Sequence, residues 1–404
     1  MAGVRAALAS RKVHPRMTTI VFFISEDWYF LSHRLALAEA CRDAGWTVVV
    51  ATRVGAAGDR IARAGLKLEP IPLDRGGMNP LRDLRATLAL FGVLRRHRPD
   101  ILHAVGLKPV LYGTIAAALA GTPHIVSALA GLGSILSGAA RRAGPIRTLV
   151  LAALRPLLNR SRVRVVVQND DDRALVLANR FAVAGRIVTI RGSGVDLAAF
   201  PALPEPASSP VVFALVARML IDKGVPEAVE ALRMLRARGI DATLRLVGAP
   251  DPDNPMSLDE TRLRAYAALP GVIWNGASGD IVGVWRDSHV ALLPSWREGM
   301  PKSLLEALAC ARPVITTDTT GCRDVIEDGV EGFLVPLKNP AALAAAMERL
   351  AGDADLRARM GAAARHRAEA RFDRRQVVAA HMALYRSLIA GSGSAGSGSG
   401  SANR

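Results

Sequence analysis

A chain of 404 residues, half of them hydrophobic, is long enough for two domains that each bury a core. Its net charge of +16 points to anionic partners, namely nucleic acid, an anionic membrane surface or phosphorylated substrates, unless arginine-rich coding alone inflates the count. An aromatic content of 4% and the lack of zinc-finger, helix-turn-helix and RNP patterns argue against nucleic acid, and Cys41, Cys310 and Cys322 stand at no disulfide or metal-ligand spacing, so a reducing compartment and no metal site are expected.

Residues 1–16 are basic, lack a long apolar run, and read as an extension ahead of a folded part opening at Met17. Residues 18–24 (TTIVFFI) have strand composition, residues 31–44 a helical period ending at Gly45, and residues 47–52 (TVVVAT) strand composition again. A helix over residues 81–97 precedes strands at residues 100–105, 123–129, 164–168 and 186–190. The apolar stretch 113–140 is interrupted by Pro123 and His124, which excludes a membrane span there. Residues 200–210 (FPALPEPASSP) read as a linker. A second series follows, with strands at residues 211–217, 241–248, 271–276, 289–295, 312–318 and 331–336. The expected fold class is therefore α/β, with two Rossmann-like doubly wound domains facing across a cleft. The predicted domains are residues 17–200 and 211–370, joined by 201–210, followed by a helix at 371–390 packing back toward the first domain and a flexible Gly/Ser tail at 391–404. Ligands in such sheets bind beyond the carboxyl ends of the strands, so the interdomain cleft is the expected site.

The segment SWREGMPKSLLEALACARPVIT (residues 295–316) places strand, turn and helix in succession. Pro301 suits the first position of a helix, and Gly299 lets a ligand approach the backbone. Free N–H groups at that helix start, with the helix dipole, favour a diphosphate. Glu298 is an acceptor and suits the hydroxyls of a sugar attached to that phosphate. Glu306 lies about one and a half turns, roughly 8 Å, along the helix, where it could accept from a ribose. The plainer readings are a surface turn residue and a solvent-facing helix position. Arg218 and Lys223 stand after the strand at residues 211–217 and could neutralise a leaving diphosphate in the role that a metal plays elsewhere, or be exposed loop cations. The chain writes arginine by default, which singles out Lys108, Lys223 and Lys302 as candidate phosphate contacts.

Together with RPDILHAVGLKPVLYG, IRGSGVDLAAF, ARMLIDKG, LVGAPDPDNP and VIWNGASGDI, this segment makes the chain resemble retaining family 4 glycosyltransferases of the GT-B fold. It is most similar to the bacterial branch that extends lipid-linked glycans, and the resemblance spans residues 18–388. It implies transfer from a nucleotide-sugar donor, with a UDP-sugar favoured, to a polyprenyl-diphosphate-linked saccharide. It implies no cofactor and no metal, and a cytoplasmic protein peripheral on the inner face of the plasma membrane. Catalytic roles fall on Glu298, Arg218 and Lys223. Donor binding falls on these three with Gly248, Gly276, Gly299, Met300, Pro301, Lys302 and Glu306. The acceptor side falls on Asp27, Trp28, His33 and Lys108. Retention would proceed by front-face transfer, the donor phosphate helping to deprotonate the acceptor hydroxyl. Many relatives carry a histidine in the loop after the fifth strand; here that loop reads SALAGLGSILSG, and no histidine role is assigned. The alternatives are a sugar-nucleotide 2-epimerase on the same fold and a non-catalytic nucleotide-sugar-binding scaffold.

Two segments invite other readings. NDDDR (residues 169–173) superficially suits a metal-dependent transferase, but its place between a strand and a helix favours an N-cap with first-turn acids. Residues 144–160 (GPIRTLVLAALRPLLNR) carry leucines at helical spacing among arginines, either as a helix packed on its own sheet or as a basic amphipathic helix that meets anionic lipid through Arg147, Arg155 and Arg160.

Overall fold

The computed structural model describes residues 17–75, 79–129, 144–207 and 209–394. The first half runs β1 (Thr19–Glu26), α1 (Asp27–His33), α2 (Leu35–Asp43), β2 (Thr47–Arg53), α3 (Gly58–Arg63), β3 (Lys67–Pro70), α4 (Pro80–His97), β4 (Ile101–Val105), α5 (Leu107–Ala120), β5 (His124–Ala128), α6 (Gly144–Leu158), β6 (Val163–Val167), α7 (Asp170–Ala178) and β7 (Ile187–Thr189). Its strands form one sheet in the order β3-β2-β1-β4-β5-β6-β7. The second half runs β8 (Val211–Val216), α8 (Val225–Ala237), β9 (Ala242–Val247), α9 (Glu260–Ala267), β10 (Val272–Trp274), α10 (Ile281–Arg286), β11 (Val290–Leu293), α11 (Lys302–Ala309), β12 (Val314–Thr317), β13 (Gly332–Val335), α12 (Pro340–Gly352), α13 (Ala354–Arg371) and α14 (Arg374–Ser394). Its sheet has the order β10-β9-β8-β11-β12-β13.

Every strand pair is parallel among the described residues. Helices therefore cover both faces, and β4 and β11 are buried along their whole length, as is β1 at every position but Ser25, instead of alternating. The strand order reverses beside β1 and again beside β8, and each reversal opens a crevice at the carboxyl edge. These two edges carry the residues of the candidate site.

Three departures from the expected elements have local causes. The helix expected over residues 31–44 is two helices, because Arg34 leaves helical geometry (φ −133°, ψ −11°) and its buried guanidinium donates to the His33 carbonyl at 2.8 Å. Strand β3 escaped the sequence pattern because an edge strand reading KLEP has no buried position to mark it. The last helix begins at Arg374 and runs to Ser394, into the segment expected as a tail. Its Val377, Met382, Tyr385 and Leu388 join β1, β2, β4 and α2 in a core of the N-terminal domain. Residues 1–16 and the glycine-rich loop after β5, with Gly131 and Gly133, lie outside the described residues.

Candidate active site

Strand β8 ends at Val216, and the next residues turn sharply toward α8. Arg218 stands on that turn and pairs through Nη1 with the Asp251 carboxylate. Lys223 ends a short 3-10 turn, just before Gly224. Gly224 has φ +76°, and a Cβ there would meet the Pro294 carbonyl oxygen at 2.2 Å, so only glycine lets this loop lie against the end of β11. The result is that Lys223 Nζ pairs with Glu298 Oε1, both groups largely buried. Glu298 N–H is engaged by Thr320 O at 3.1 Å, so this residue offers its side chain and not its amide. Beside them, burial raises the Asp222 carboxyl above its ordinary range, and its Oδ1 has no hydrogen-bond partner.

Pro301 is the N-cap of α11 and not its first helical residue, so the helix opens at Lys302. In this first turn the Leu304 N–H already donates to Pro301 O at 3.1 Å, which leaves the Lys302 and Ser303 N–H groups without a carbonyl inside the helix. Glu306 is buried, which excludes the solvent-facing position. Its carboxylate pairs with Lys302 Nζ at 3.2 Å, one turn back. Burial raises the Glu306 carboxyl above its ordinary value, and Lys302 only partly offsets this. Lys302 also donates to Ser32 Oγ of the N-terminal domain at 3.2 Å. Met300 and Pro301 are both buried.

Gly248 closes the other wall. At φ +153° its Cβ would lie 1.7 Å from the Ala217 carbonyl oxygen, so β9 passes the Arg218 loop at a distance that only glycine permits. Its N–H donates to Gly276 O at 2.8 Å and its carbonyl accepts from Trp274 Nε1 at 2.9 Å. Between this wall and the N-terminal domain lies a cavity of about 760 Å³, lined by Arg218, Gly248, Asp251, Ser278 and Ile281 on one side and by Glu26, Trp28, Arg53 and Arg75 on the other.

The acceptor-side candidates separate. Trp28 faces the cavity and carries Arg75 over its ring at 5.7 Å. Asp27 is buried, and its oxygens accept from the amides of Trp28 (2.7 Å), Gly55 (2.6 Å) and Ala57 (3.0 Å), so it holds a loop in place. Lys108 Nζ is tied to Asp74 O and Asp83 Oδ1, each at 3.0 Å. His33 stacks on Tyr29, and burial lowers its pKa to about 3, so the ring is neutral at neutral pH. His103 is fully buried between Phe22 and His381, with Nδ1 on Tyr385 OH, and has no route to a ligand.

The aspartates of NDDDR bridge the domains. Asn169 caps α7 by accepting from Asp172 N at 2.7 Å, and its amide donates to Gly299 O at 2.9 Å across the cleft. Asp172 pairs with Arg297 at 3.4 Å, and Asp171 accepts from Thr320 Oγ1 at 2.8 Å. Sequence reasoning missed these ties, and it missed Asp251, which pairs with both Arg218 and Arg75. The available signals were that Asp251 falls within LVGAPDPDNP and that Arg75 and Asp251 each follow the end of a strand at a facing sheet edge. In α6, Leu154 and Leu158 are fully buried in the domain core, so that end of its apolar stripe packs on its own sheet. Arg155 Nε donates to Asn179 O at 3.0 Å, Arg160 is exposed, and the side chain of Arg147 lies outside the described residues. Among the described residues no helix is long and apolar enough to cross a membrane.

Comparison with known proteins agrees with this geometry. The family described as "Glycosyl transferase 4-like domain" matches residues 32–192, and "Glycosyl transferases group 1" matches residues 210–353. The chain is 28% identical over 349 residues to the N,N'-diacetylbacillosaminyl-diphospho-undecaprenol alpha-1,3-N-acetylgalactosaminyltransferase of Campylobacter jejuni, covering 81% of this chain and 90% of that protein. It is 24% identical over 286 residues to the UDP-Gal:alpha-D-GlcNAc-diphosphoundecaprenol alpha-1,3-galactosyltransferase of Escherichia coli, covering 68% and 72%. In fold it resembles the sucrose-phosphate synthase of Thermosynechococcus elongatus, with a TM-score of 0.76 at 19% identity over 93% of this chain and all of that one. The epimerase and scaffold alternatives are not favoured by these matches. With both domains matched on either side of the cleft just described, the chain belongs to the family 4 glycosyltransferases of the GT-B fold.

Proposed function

We propose that this glycosyltransferase moves a sugar, with retention of anomeric configuration, from a uridine-diphosphate donor to a saccharide carried on a polyprenyl diphosphate. The observation that carries the reading is the cluster at the carboxyl edge of the second sheet. Arg218 and Lys223 stand at the end of β8, and Glu298 and Glu306 bracket the opening turn of α11. The two cations and the open amides suit a diphosphate, and their charge matters most as that group departs. Glu298 suits the hydroxyls of the transferred sugar and Glu306 the ribose. The acceptor enters from the Trp28 and Arg75 side of the cavity. The lipid carrier is supported by the names of the two relatives, both of which act on undecaprenyl-diphosphate-linked sugars. A carrier that cannot leave the bilayer supports a protein that works at a membrane surface, and a nucleotide-sugar donor supports the inner face of the plasma membrane as that surface.

The test is turnover of purified protein with a panel of nucleotide sugars and a polyprenyl-diphosphate saccharide, read by product mass and by the anomeric coupling in the product. A lipid-linked product with the donor's anomeric configuration is expected. Conversion of the nucleotide sugar without an acceptor would overturn the assignment in favour of epimerisation.

A further inference from the structure

Helix α4 carries a face that the fold leaves uncovered. Leu81, Leu84 and Leu88 are 70%, 54% and 59% exposed, although single exposed leucines on a helix with a buried side are ordinary and three in register are not. Their spacing of three and four residues puts them in one row. The opposite face is filled normally, with Ala86, Leu90, Val93 and Leu94 in the domain core. At 100° per residue, Arg85 and Arg95 share the exposed face with the leucines. Arg82 and Arg96 are neutralised by Asp74 at 2.8 Å and Glu69 at 2.9 Å. Arg85 and Arg95 are exposed and have no acidic partner among the described residues. The helix's one acid, Asp83, is buried on the far side, where it holds Lys108 and Tyr112.

We infer that this face of α4 docks on an anionic lipid bilayer, with Leu81, Leu84 and Leu88 entering the interface and Arg85 and Arg95 meeting lipid phosphates. The inference rests on the lipid-linked acceptor proposed above and assigns it a surface. Charge complementarity selects the occupant. A second copy of the chain docked face to face would set the arginines of one helix against those of the other, whereas an anionic leaflet takes both the leucine row and the cations around it. Position agrees, since the segment entering α4 contains Arg75, which lies over Trp28 in the cavity and pairs with Asp251. A carrier held in the bilayer under Leu81 would thus present its head group at the mouth of the cleft. The contrast with α6 is direct, because Leu154 and Leu158 there are already buried in protein.

The experiment is sedimentation of the full chain with vesicles of phosphatidylglycerol mixed equally with phosphatidylcholine, and with phosphatidylcholine alone. Binding to the mixed vesicles is expected, weakening as salt rises without vanishing. L81Q/L84Q/L88Q should lower partitioning by roughly tenfold or more at every salt concentration. R85Q/R95Q should lower it by roughly tenfold at low salt and little at high salt. These positions are exposed, so both variants should bind the nucleotide-sugar donor like the wild type, which reports an intact fold. Unaltered partitioning of L81Q/L84Q/L88Q would overturn the inference, as would a wild type that stays in the supernatant. So would a lipid-free dimer that L81Q/L84Q/L88Q dissociates, because the face would then belong to a second copy. If vesicle binding follows the leucines but no sugar reaches a polyprenyl-diphosphate acceptor, the surface stands and the acceptor assignment falls.

Discussion

A carboxylate as buried as Glu306 keeps its charge only with help, and Lys302 is the help the chain provides. A ribose hydroxyl pair donating to it would favour the charged form further. Donor affinity should therefore fall as pH is lowered, starting above the ordinary glutamate value of 4.5 because burial raises this group. Glu306→Gln should abolish that pH dependence and weaken binding by about tenfold to a hundredfold, since a hydrogen bond to a charged group is worth about 1.5–3 kcal/mol; calorimetric titration of the donor at several pH values measures both. Arg218→Ala and Lys223→Ala should lower kcat more than donor affinity, with no rescue by magnesium, because their charge counts most when the diphosphate leaves. Steady-state kinetics with and without the metal tests this, and full activity in either variant would remove that residue from the site. These positions were legible because Gly224, Gly299 and Pro301 punctuate the chain and show where strands end. Their partners were not. Arg75 and Asp251 meet across 176 positions of sequence, and no local pattern encodes such a pairing.

Helix α7 shows how an element can carry information that its own residues conceal. Asn169 was legible as a cap, but its donation to Gly299 O depends on the other domain being where it is. Asn169→Ala should cost about 1 kcal/mol through the lost cap and also release the turn ahead of α11. Denaturation should show the stability loss and donor titration a weaker affinity; unchanged donor affinity would confine Asn169 to the cap. Helix α14 makes a separate demand, because it buries His381 beside His103. Burial lowers the His381 pKa from 6.5 to about 3. Below about pH 6.5 the unfolded chain takes up a proton that the folded chain refuses, so stability falls with falling pH by about 1.4 kcal/mol per unit for each such ring. His381→Phe should remove one ring's share of that acid limb between about 6.5 and 3, leaving the share of His103, as read from melting temperature against pH. At this scale the sequence was most informative for strands, whose apolar runs cannot be concealed. It was least informative for α4 and α6, where the same leucine period lies against solvent in one and in the core in the other.

At the scale of the molecule, two sets of ties flank the cleft. Arg75–Asp251 and Arg53–Asp253 close it beside the cavity, while Asn169–Gly299 and Arg297–Asp172 close it beside α11. Asp251 holds Arg218 and Arg75 together, so a diphosphate that engages Arg218 competes with the tie that draws the domains together. Arg75→Ala should therefore give a more open chain without donor, visible as a larger radius of gyration in small-angle scattering, and an unchanged value would show that the other ties suffice. The return of α14 to the first domain bears on how the protein is made. Part of that domain's core, around Phe22, Val50 and Cys41, is filled by residues that follow Arg374. A ribosome adding about 5–20 residues per second needs roughly ten to thirty seconds to travel from residue 200 to residue 374. For that interval the first domain is complete in its strands and open on one side, while the second domain is still being translated. Its packing is thus completed late, and α14 acts as the last piece that seals a domain whose strands were made first.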